Sequence, residues 1–217
     1  MENPIIARYD TKKSAANYRR KYERSLLRRL SNRRELAILR RALARAGAKG
    51  RILDCPCGAG RLVPTLLSFG NHVTAVDLSA PMVIEAKDVL APLAAQGLVE
   101  FGVAPVDALP YEDGSFDTVV CHRLIHHMRS PAERGAAFRE LARVARRRVV
   151  LSFSDATTPK ARFRAWRGVT GGNTVLCPED LAREAAVYGL HIEGTPLRLN
   201  GGFSLIAVAV FRVRDVP

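Results

Sequence analysis

Asp54 closes the short apolar run Ile52-Leu53 and is followed by Cys55-Pro56-Cys57-Gly58-Ala59-Gly60-Arg61, so a carboxylate stands where an extended segment meets a glycine turn. Glycines at 58 and 60 let the backbone approach a ligand closely, and a helix opening there presents unpaired N–H groups. A turn dedicated to pyrophosphate would avoid the negative charge of Asp54, so a cationic ligand group is indicated instead. Asp77, seventeen residues beyond Gly60, ends the next apolar run. A carboxylate at that strand end can accept two hydrogen bonds from a ribose diol. Asp107, in Asp107-Ala108-Leu109, follows the third run and offers its carboxylate to an adenine amino group.

The base candidates lie in Cys121-His122-Arg123-Leu124-Ile125-His126-His127-Met128. His126 and His127 are the titratable groups at the expected end of the fourth run that can take a proton from an acceptor. The plainer reading is that one or both brace the loop by bonding its backbone. No metal site is predicted: His122 and His126 stand four apart beside Cys121, but zinc needs about four ligands and the Cys55-x-Cys57 pair chelates poorly. Four cysteines in 217 residues are also too few and too loosely spaced for a disulfide scaffold.

These residues need a scaffold, and the hydrophobic pattern supplies one. Apolar runs at 52–55, 72–77, 99–103, 116–121 and 148–154 alternate with helical periodicity at 61–68, 80–95 and 131–145, the signature of a parallel sheet covered by helices. Pro178-Glu179-Asp180 opens a further helix that ends at Gly189, with proline and acids where the helix start favours them. Two strands, 191–199 and 203–213, are expected on either side of Asn200-Gly201-Gly202, a hairpin connection. Ahead of the sheet, spacings of three and four predict a helix over 14–30, and Asn32 with Glu35 predicts a capping box opening a second helix that stops at Gly47.

Residues 155–177 form an expected inserted loop or cap. Within it, Phe163-Arg164-Ala165-Trp166-Arg167 interleaves aromatics with arginines and, with Phe203, is expected to wall an acceptor that is planar or anionic, or else to be bare surface.

With 47% hydrophobic and 25% charged residues, the chain can bury a core and is not compositionally disordered. No apolar run is long enough to span a membrane and no secretory leader pattern opens the chain, so a cytoplasmic setting is expected. Of the net charge of +13, residues 1–51 contribute +12, sixteen Lys and Arg against four Asp and Glu. Residues 8–51 therefore present a basic surface for nucleic acid or an anionic membrane, or else the solvated face of an amphipathic helix pair.

Leu53-Asp54-x-Pro56-x-Gly58-x-Gly60-Arg61, Val76-Asp77-Leu78-Ser79, Asp107-Ala108-Leu109-Pro110 and Phe116-Asp117-Thr118-Val119-Val120 occur in this order. Over about 51–213 they resemble the class I S-adenosylmethionine-dependent methyltransferases, of small-molecule type. The resemblance implies an α/β fold with a Rossmann-like, seven-stranded, mostly parallel sheet, an antiparallel last strand and helices on both faces. It divides the chain into a basic N-terminal helical lid, 1–50, and a cofactor-binding domain, 51–217.

By that resemblance S-adenosyl-L-methionine is the cofactor and its methyl group passes to oxygen or nitrogen of a small-molecule acceptor. The turn carrying Cys55 and Pro56 holds the methionine part, Asp77 the ribose, Leu78 and Met82 flank the adenine, and Asp107 with Ala108 reads it. Cys121 and His122 lie near the methionine end, and from the lid Tyr9, Tyr18 and Arg19 are placed to meet its carboxylate, or else Tyr18 and Tyr22 are core-facing helix residues. Two positions depart from the common pattern. Pro56 replaces a glycine and removes one N–H, and Ala145-Arg146-Arg147-Arg148 stands where relatives often have Pro-Gly-Gly. The alternatives left open are an RNA or protein methyltransferase gripping its substrate with the basic helices, and a non-catalytic module that binds cofactor or docks on membranes. A dinucleotide oxidoreductase is disfavoured by Asp54 and by Val63 in place of a third glycine.

Overall fold

The computed structural model describes residues 11–20, 25–70, 72–169, 173–199 and 204–214. Helices α1 (Lys12–Arg20) and α2 (Leu26–Arg45) precede β1 (Arg51–Asp54), α3 (Val63–Leu66), β2 (His72–Asp77), α4 (Ala80–Val89), α5 (Ala91–Ala95), β3 (Val99–Val103) and β4 (Phe116–Cys121). A 3-10 turn (Ile125–His127), α6 (Pro131–Val144), β5 (Ala145–Ser154), α7 (Pro159–Trp166), α8 (Pro178–Ala186), β6 (Leu190–Ile192), β7 (Leu197–Arg198) and β8 (Ile206–Val213) follow. Among the described residues no helix is long and apolar enough to cross a membrane.

The sheet runs in the order β3-β2-β1-β4-β5-β8-β6, with β7 also paired to β8. β1 to β5 are mutually parallel, and β8 is antiparallel to β5, β6 and β7. The strands alternate between two cores. Leu53, Val119, Val149 and Phe211 face Phe138 and Leu141 of α6 and Leu181 of α8. Ile52, Val120, Val150 and Val208 face Leu39 and Leu43 of α2 and Val63 and Leu66 of α3. Both faces are therefore covered, as a parallel sheet requires.

Several expected boundaries shift for physical reasons. The expected strand 191–199 is interrupted between β6 and β7 by Glu193-Gly194-Thr195-Pro196, where Gly194 takes φ +67° and Pro196 cannot donate to a ladder. The sheet thus gains a two-residue eighth strand. The expected helix 80–95 is two helices, because Pro92 removes an N–H near the start of α5. The helix expected over 61–68 shortens to the single turn of α3.

The N-terminal helices are also divided elsewhere than the capping-box reading placed them. α2 begins at Leu26, where the Ser25 hydroxyl accepts from Arg28 N–H at 3.3 Å, and it runs unbroken through Asn32 and Glu35. Gly47, at φ +58°, stops the segment as expected. Asn200, Gly201, Gly202 and Phe203 lie outside the described residues, as do Tyr9 and Tyr22.

Gly60 carries a direct structural demand. It sits at φ +74°, and a Cβ there would lie 2.5 Å from Leu90 Cδ1 and 3.3 Å from Ala86 Cβ, because the end of α4 packs onto the turn. Left-handed backbone costs a non-glycine residue about 1–2 kcal/mol. Gly60→Ala is therefore expected to lower the thermal midpoint by about 2–8 °C. An unchanged melting curve would show that the turn tolerates a side chain.

Candidate active site

β1 delivers Asp54 to the carboxyl end of the sheet, and the chain then turns sharply under the end of β2. The Cys57 N–H donates to the Val76 carbonyl at 2.8 Å, which ties the turn to its neighbour strand. Gly58, at φ +54°, aims its N–H at Asp77 Oδ2, 2.8 Å away, while Asp77 Oδ1 accepts from Ser79 N–H at 2.9 Å. Asp77 thus bridges the glycine turn and the cap of α4, whose Ser79 hydroxyl accepts from Met82 N–H. Burial raises the Asp77 pKa, while the backbone N–H groups of Ser79 and Gly58 oppose the rise. A carboxylate has about four acceptor sites, so Asp77 keeps capacity for a ligand diol.

A half-open cleft of about 920 Å³, counting the part open to solvent, lies against this turn. Its wall brings together the predicted Pro56, Gly58, Asp77, Leu78 and Met82 with His122 and His127 from beyond β4. Tyr18 closes one side, from a helix whose Ala15 packs against Ala59 and Met82. Arg19 lies on the same helix; its side chain is outside the described set.

Other expected residues sit elsewhere. Cys55 and Cys121 are buried in the core on the α6 side, where burial raises both thiol pKa values, so they are packing residues rather than part of the wall. Gly60 lines a second cavity, with Leu30, Arg33 and Leu90. Asp107 and Ala108 are exposed on the loop after β3, outside the cleft wall. Arg164 and Trp166 of α7, and Arg167 at its C-cap, are likewise not in that wall, and Trp166 is 80% exposed. Trp166 pairs at a tilt with Phe163, ring centroids 5.8 Å apart, and the Arg167 guanidinium lies over Phe163.

The two base candidates separate. His126 is buried, off the cleft wall, and its pKa falls to about 3 through burial first and neighbouring His127 and Arg123 next. It stays neutral over the physiological range and is poorly suited to hold a transferred proton; its carbonyl accepts from Thr174 N–H at 2.8 Å, which braces the cap. His127 lines the cleft, half-buried. Among the described residues no group of three or more His, Cys, Asp and Glu is placed to hold a metal ion.

Asp54 is fully buried beneath the turn, and neither of its oxygens has a hydrogen-bond partner. Burial raises its pKa to about 8, with Asp77 adding to the rise and Arg61 opposing it. Arg61 and Arg123 contribute cations to the same wall as Asp77. Asp54 itself is not in the cleft wall and keeps its proton near neutral pH; the wall presents the Asp77 carboxyl group together with the Arg61 and Arg123 guanidinium groups, so acid and cations both face a ligand.

Glu35 escaped the sequence reading as a site residue. It is the one acid between residues 24 and 53, spaced three and four residues from Ile38 and Leu39 on the buried stripe of α2. A lone acid on the apolar stripe of an arginine-rich helix was the available signal. Its carboxylate meets Arg61, His122 and Arg123, all three in the cleft wall.

Residues 53–153 match the family model described as Methyltransferase domain. The magnesium protoporphyrin IX methyltransferase of Arabidopsis thaliana chloroplasts is 39% identical over 108 residues, 49% of this chain and 33% of that protein. A ubiquinone biosynthesis O-methyltransferase of Xanthomonas euvesicatoria is 38% identical over 85 residues, 39% of this chain and 35% of that protein. These matches span about a third of the length of the curated relatives. Among solved structures, magnesium protoporphyrin IX methyltransferase from Synechocystis with bound S-adenosylhomocysteine superposes with a TM-score of 0.78 at 20% identity, covering 97% of this chain and 99% of that one. The Burkholderia thailandensis 1,6-didemethyltoxoflavin-N1-methyltransferase gives 0.67 at 22% identity, over 98% and 89%. The chain thus has the Rossmann-like fold of the class I S-adenosylmethionine-dependent methyltransferases, and just under half of it, residues 53–153, matches the methyltransferase-domain family model.

Proposed function

We propose that this chain binds S-adenosylmethionine in the cleft beside the Gly58 turn and transfers its methyl group to oxygen or nitrogen of a small-molecule acceptor. The observation that carries the reading is the pair of acids at the ends of β1 and β2. Asp54 is buried with both oxygens unpartnered, and Asp77 is fixed to the Gly58 and Ser79 N–H groups. Together with Arg61 and Arg123 they fit a ligand that has an ammonium, a carboxylate and a ribose diol. When bound, the cofactor supplies an electrophilic methyl group on a sulfonium.

The residues then have separable tasks. Asp77 holds the diol, Asp54 attracts the ammonium by charge from beneath the turn, and Leu78 and Met82 offer apolar surface to the adenine. Asp107 and Ala108, exposed on the loop after β3 and outside the cleft wall, would contact the adenine only if that loop closes toward it. The helix carrying Tyr18 and Arg19 acts as a lid that excludes water. His127 is the group on the wall that can take an acceptor's proton, a contribution of about 100 to 10,000-fold where deprotonation is needed. Relatives named for magnesium protoporphyrin IX and for ubiquinone biosynthesis support a small acceptor.

The reading is tested by calorimetric titration of the intact chain with S-adenosylmethionine and S-adenosylhomocysteine. One site per chain with a dissociation constant of about 100 μM or tighter is expected. No saturable binding at about 1 mM ligand would sink it.

A further inference from the structure

Glu35 belongs to α2, outside the matched methyltransferase domain, yet it is 3% exposed and lies behind the cleft wall. Its two oxygens divide between the fork of one arginine: Oε1 accepts from Arg123 Nε at 2.7 Å and Oε2 from Arg123 Nη2 at 3.1 Å. Oε1 also accepts from His122 Nε2 at 2.6 Å, and Arg61 Nη2 stands 3.5 Å away. Asn32, one turn earlier on the same helix, accepts from Arg61 Nη1. A single helix therefore holds three side chains of the cleft wall while adding neither acceptor to that wall.

The backbone at Arg123 is unusual as well. It is the one described residue other than glycine with a positive φ, +62°, and its N–H donates to Ser152 Oγ at 2.7 Å. Such a conformation persists where surroundings impose it, and it concentrates at ligand sites. Burial alone would raise the Glu35 pKa, but hydrogen bonds from His122 and Arg123 and the nearby charges hold it well below the usual carboxylate range. An ionised Glu35 only accepts, so His122 carries its proton on Nε2. Burial outweighs Glu35 at His122 itself and keeps its pKa lowered.

The plain alternative is a buried ion pair that merely fastens α2. That helix is already anchored by buried Ile38, Leu39, Ala42 and Leu43. A buried ion pair is in general no better than apolar packing for stability, because desolvation offsets the attraction. Orientation of the bonded partners is what apolar packing would not supply.

We propose that Glu35 is a positioning residue that acts through Arg123, His122 and Arg61, fixing the cationic side of the cleft so that it is ready for the carboxylate of the cofactor's amino-acid end. This rests on the cofactor reading above. α2 is then part of the binding site rather than a decoration of the domain.

The test is a double-mutant cycle on the intact chain, with S-adenosylhomocysteine affinity and thermal midpoint as readouts: wild type, Glu35→Gln, Arg123→Gln and the pair. Each single substitution is expected to weaken binding about tenfold, and the pair to be no more than about twofold weaker than Arg123→Gln alone, because residues acting as one unit are not additive. Nitrogen shifts of His122 provide a second readout: one Nε2–H tautomer in the wild type and a mixture in Glu35→Gln. Binding by Glu35→Gln within twofold of wild type, or multiplicative losses in the pair, would overturn the proposal. If Glu35→Gln does not fold, Arg123→Lys replaces it; this keeps Glu35 bonded to His122 but loses the fork, and unchanged binding there would overturn the role. A wild-type chain that binds no S-adenosylhomocysteine overturns the cofactor reading first and takes this role with it.

Discussion

Replacing Asp77 with alanine is expected to weaken S-adenosylhomocysteine binding about a thousandfold. Hydrogen bonds to a charged group contribute about 1.5–3 kcal/mol each, and a carboxylate facing a ribose diol makes two. The sum, about 3–6 kcal/mol, corresponds to roughly 100 to 10,000-fold in affinity. A second loss adds to this. The same carboxylate accepts from Gly58 N–H at 2.8 Å and from Ser79 N–H at 2.9 Å, so its removal also releases the glycine turn and the start of α4. Asp77→Asn is expected to restore little, since its amide nitrogen would face one of those N–H donors. The check is titration of both variants alongside their melting curves. Binding within tenfold of wild type in Asp77→Ala, with the fold intact, would remove Asp77 from the site.

Much of that site was legible because its signals are local. Gly58 and Asp77, with Asp54 behind them, occupy strand ends and a turn, and strand ends follow from short, mainly apolar stretches such as Ile52-Leu53 and Val73 to Val76 that stop at an acid. The parallel, helix-covered sheet followed from alternation of strand and helix, and the antiparallel end from two strands in succession. What was lost depended on partners far away in sequence. Glu35 read as the second half of a capping box because Asn32 stands three residues before it; the structure assigns it instead to His122 and Arg123, 87 and 88 residues on. Nothing in the local pattern distinguishes an acid that caps a helix from one buried by distant arginines, apart from its place on the apolar stripe. α7 failed in the opposite way. Arg164, Trp166 and Arg167 have the composition of a ligand wall, but composition does not say which way an inserted helix turns, and here Trp166 faces outward.

Asp54→Asn is expected to make the protein without ligand more stable and its cofactor binding about 100-fold weaker, a trade that identifies a group kept for binding. The Asp54 carboxyl is raised by burial from 3.8 to about 8. Between those values the folded protein holds a proton that the unfolded chain has released, so stability falls as pH rises from about 4 to 8. Asparagine has the same shape and does not titrate. Wild type and variant should therefore be alike near pH 4, and the variant should be the more stable by several kcal/mol at pH 8, a consequence of the unpaired buried charge.

Ligand binding reverses the preference at Asp54. An ammonium within a few ångström favours the ionised carboxylate by about 1–3 pKa units, and two units correspond to about 100-fold in affinity. Below about pH 8 the wild type must release the Asp54 proton on binding, so its affinity should rise with pH from 6 to 8 and then level off, whereas the asparagine variant should show a flat dependence. Titration at pH 6, 7 and 8 in buffers of different ionisation enthalpy counts that proton directly. A wild type without proton release, or an Asp54→Asn protein that binds as tightly, would mean that the acid beneath the glycine turn does not read the ligand's charge. The raised pKa would then express only the cost of its burial.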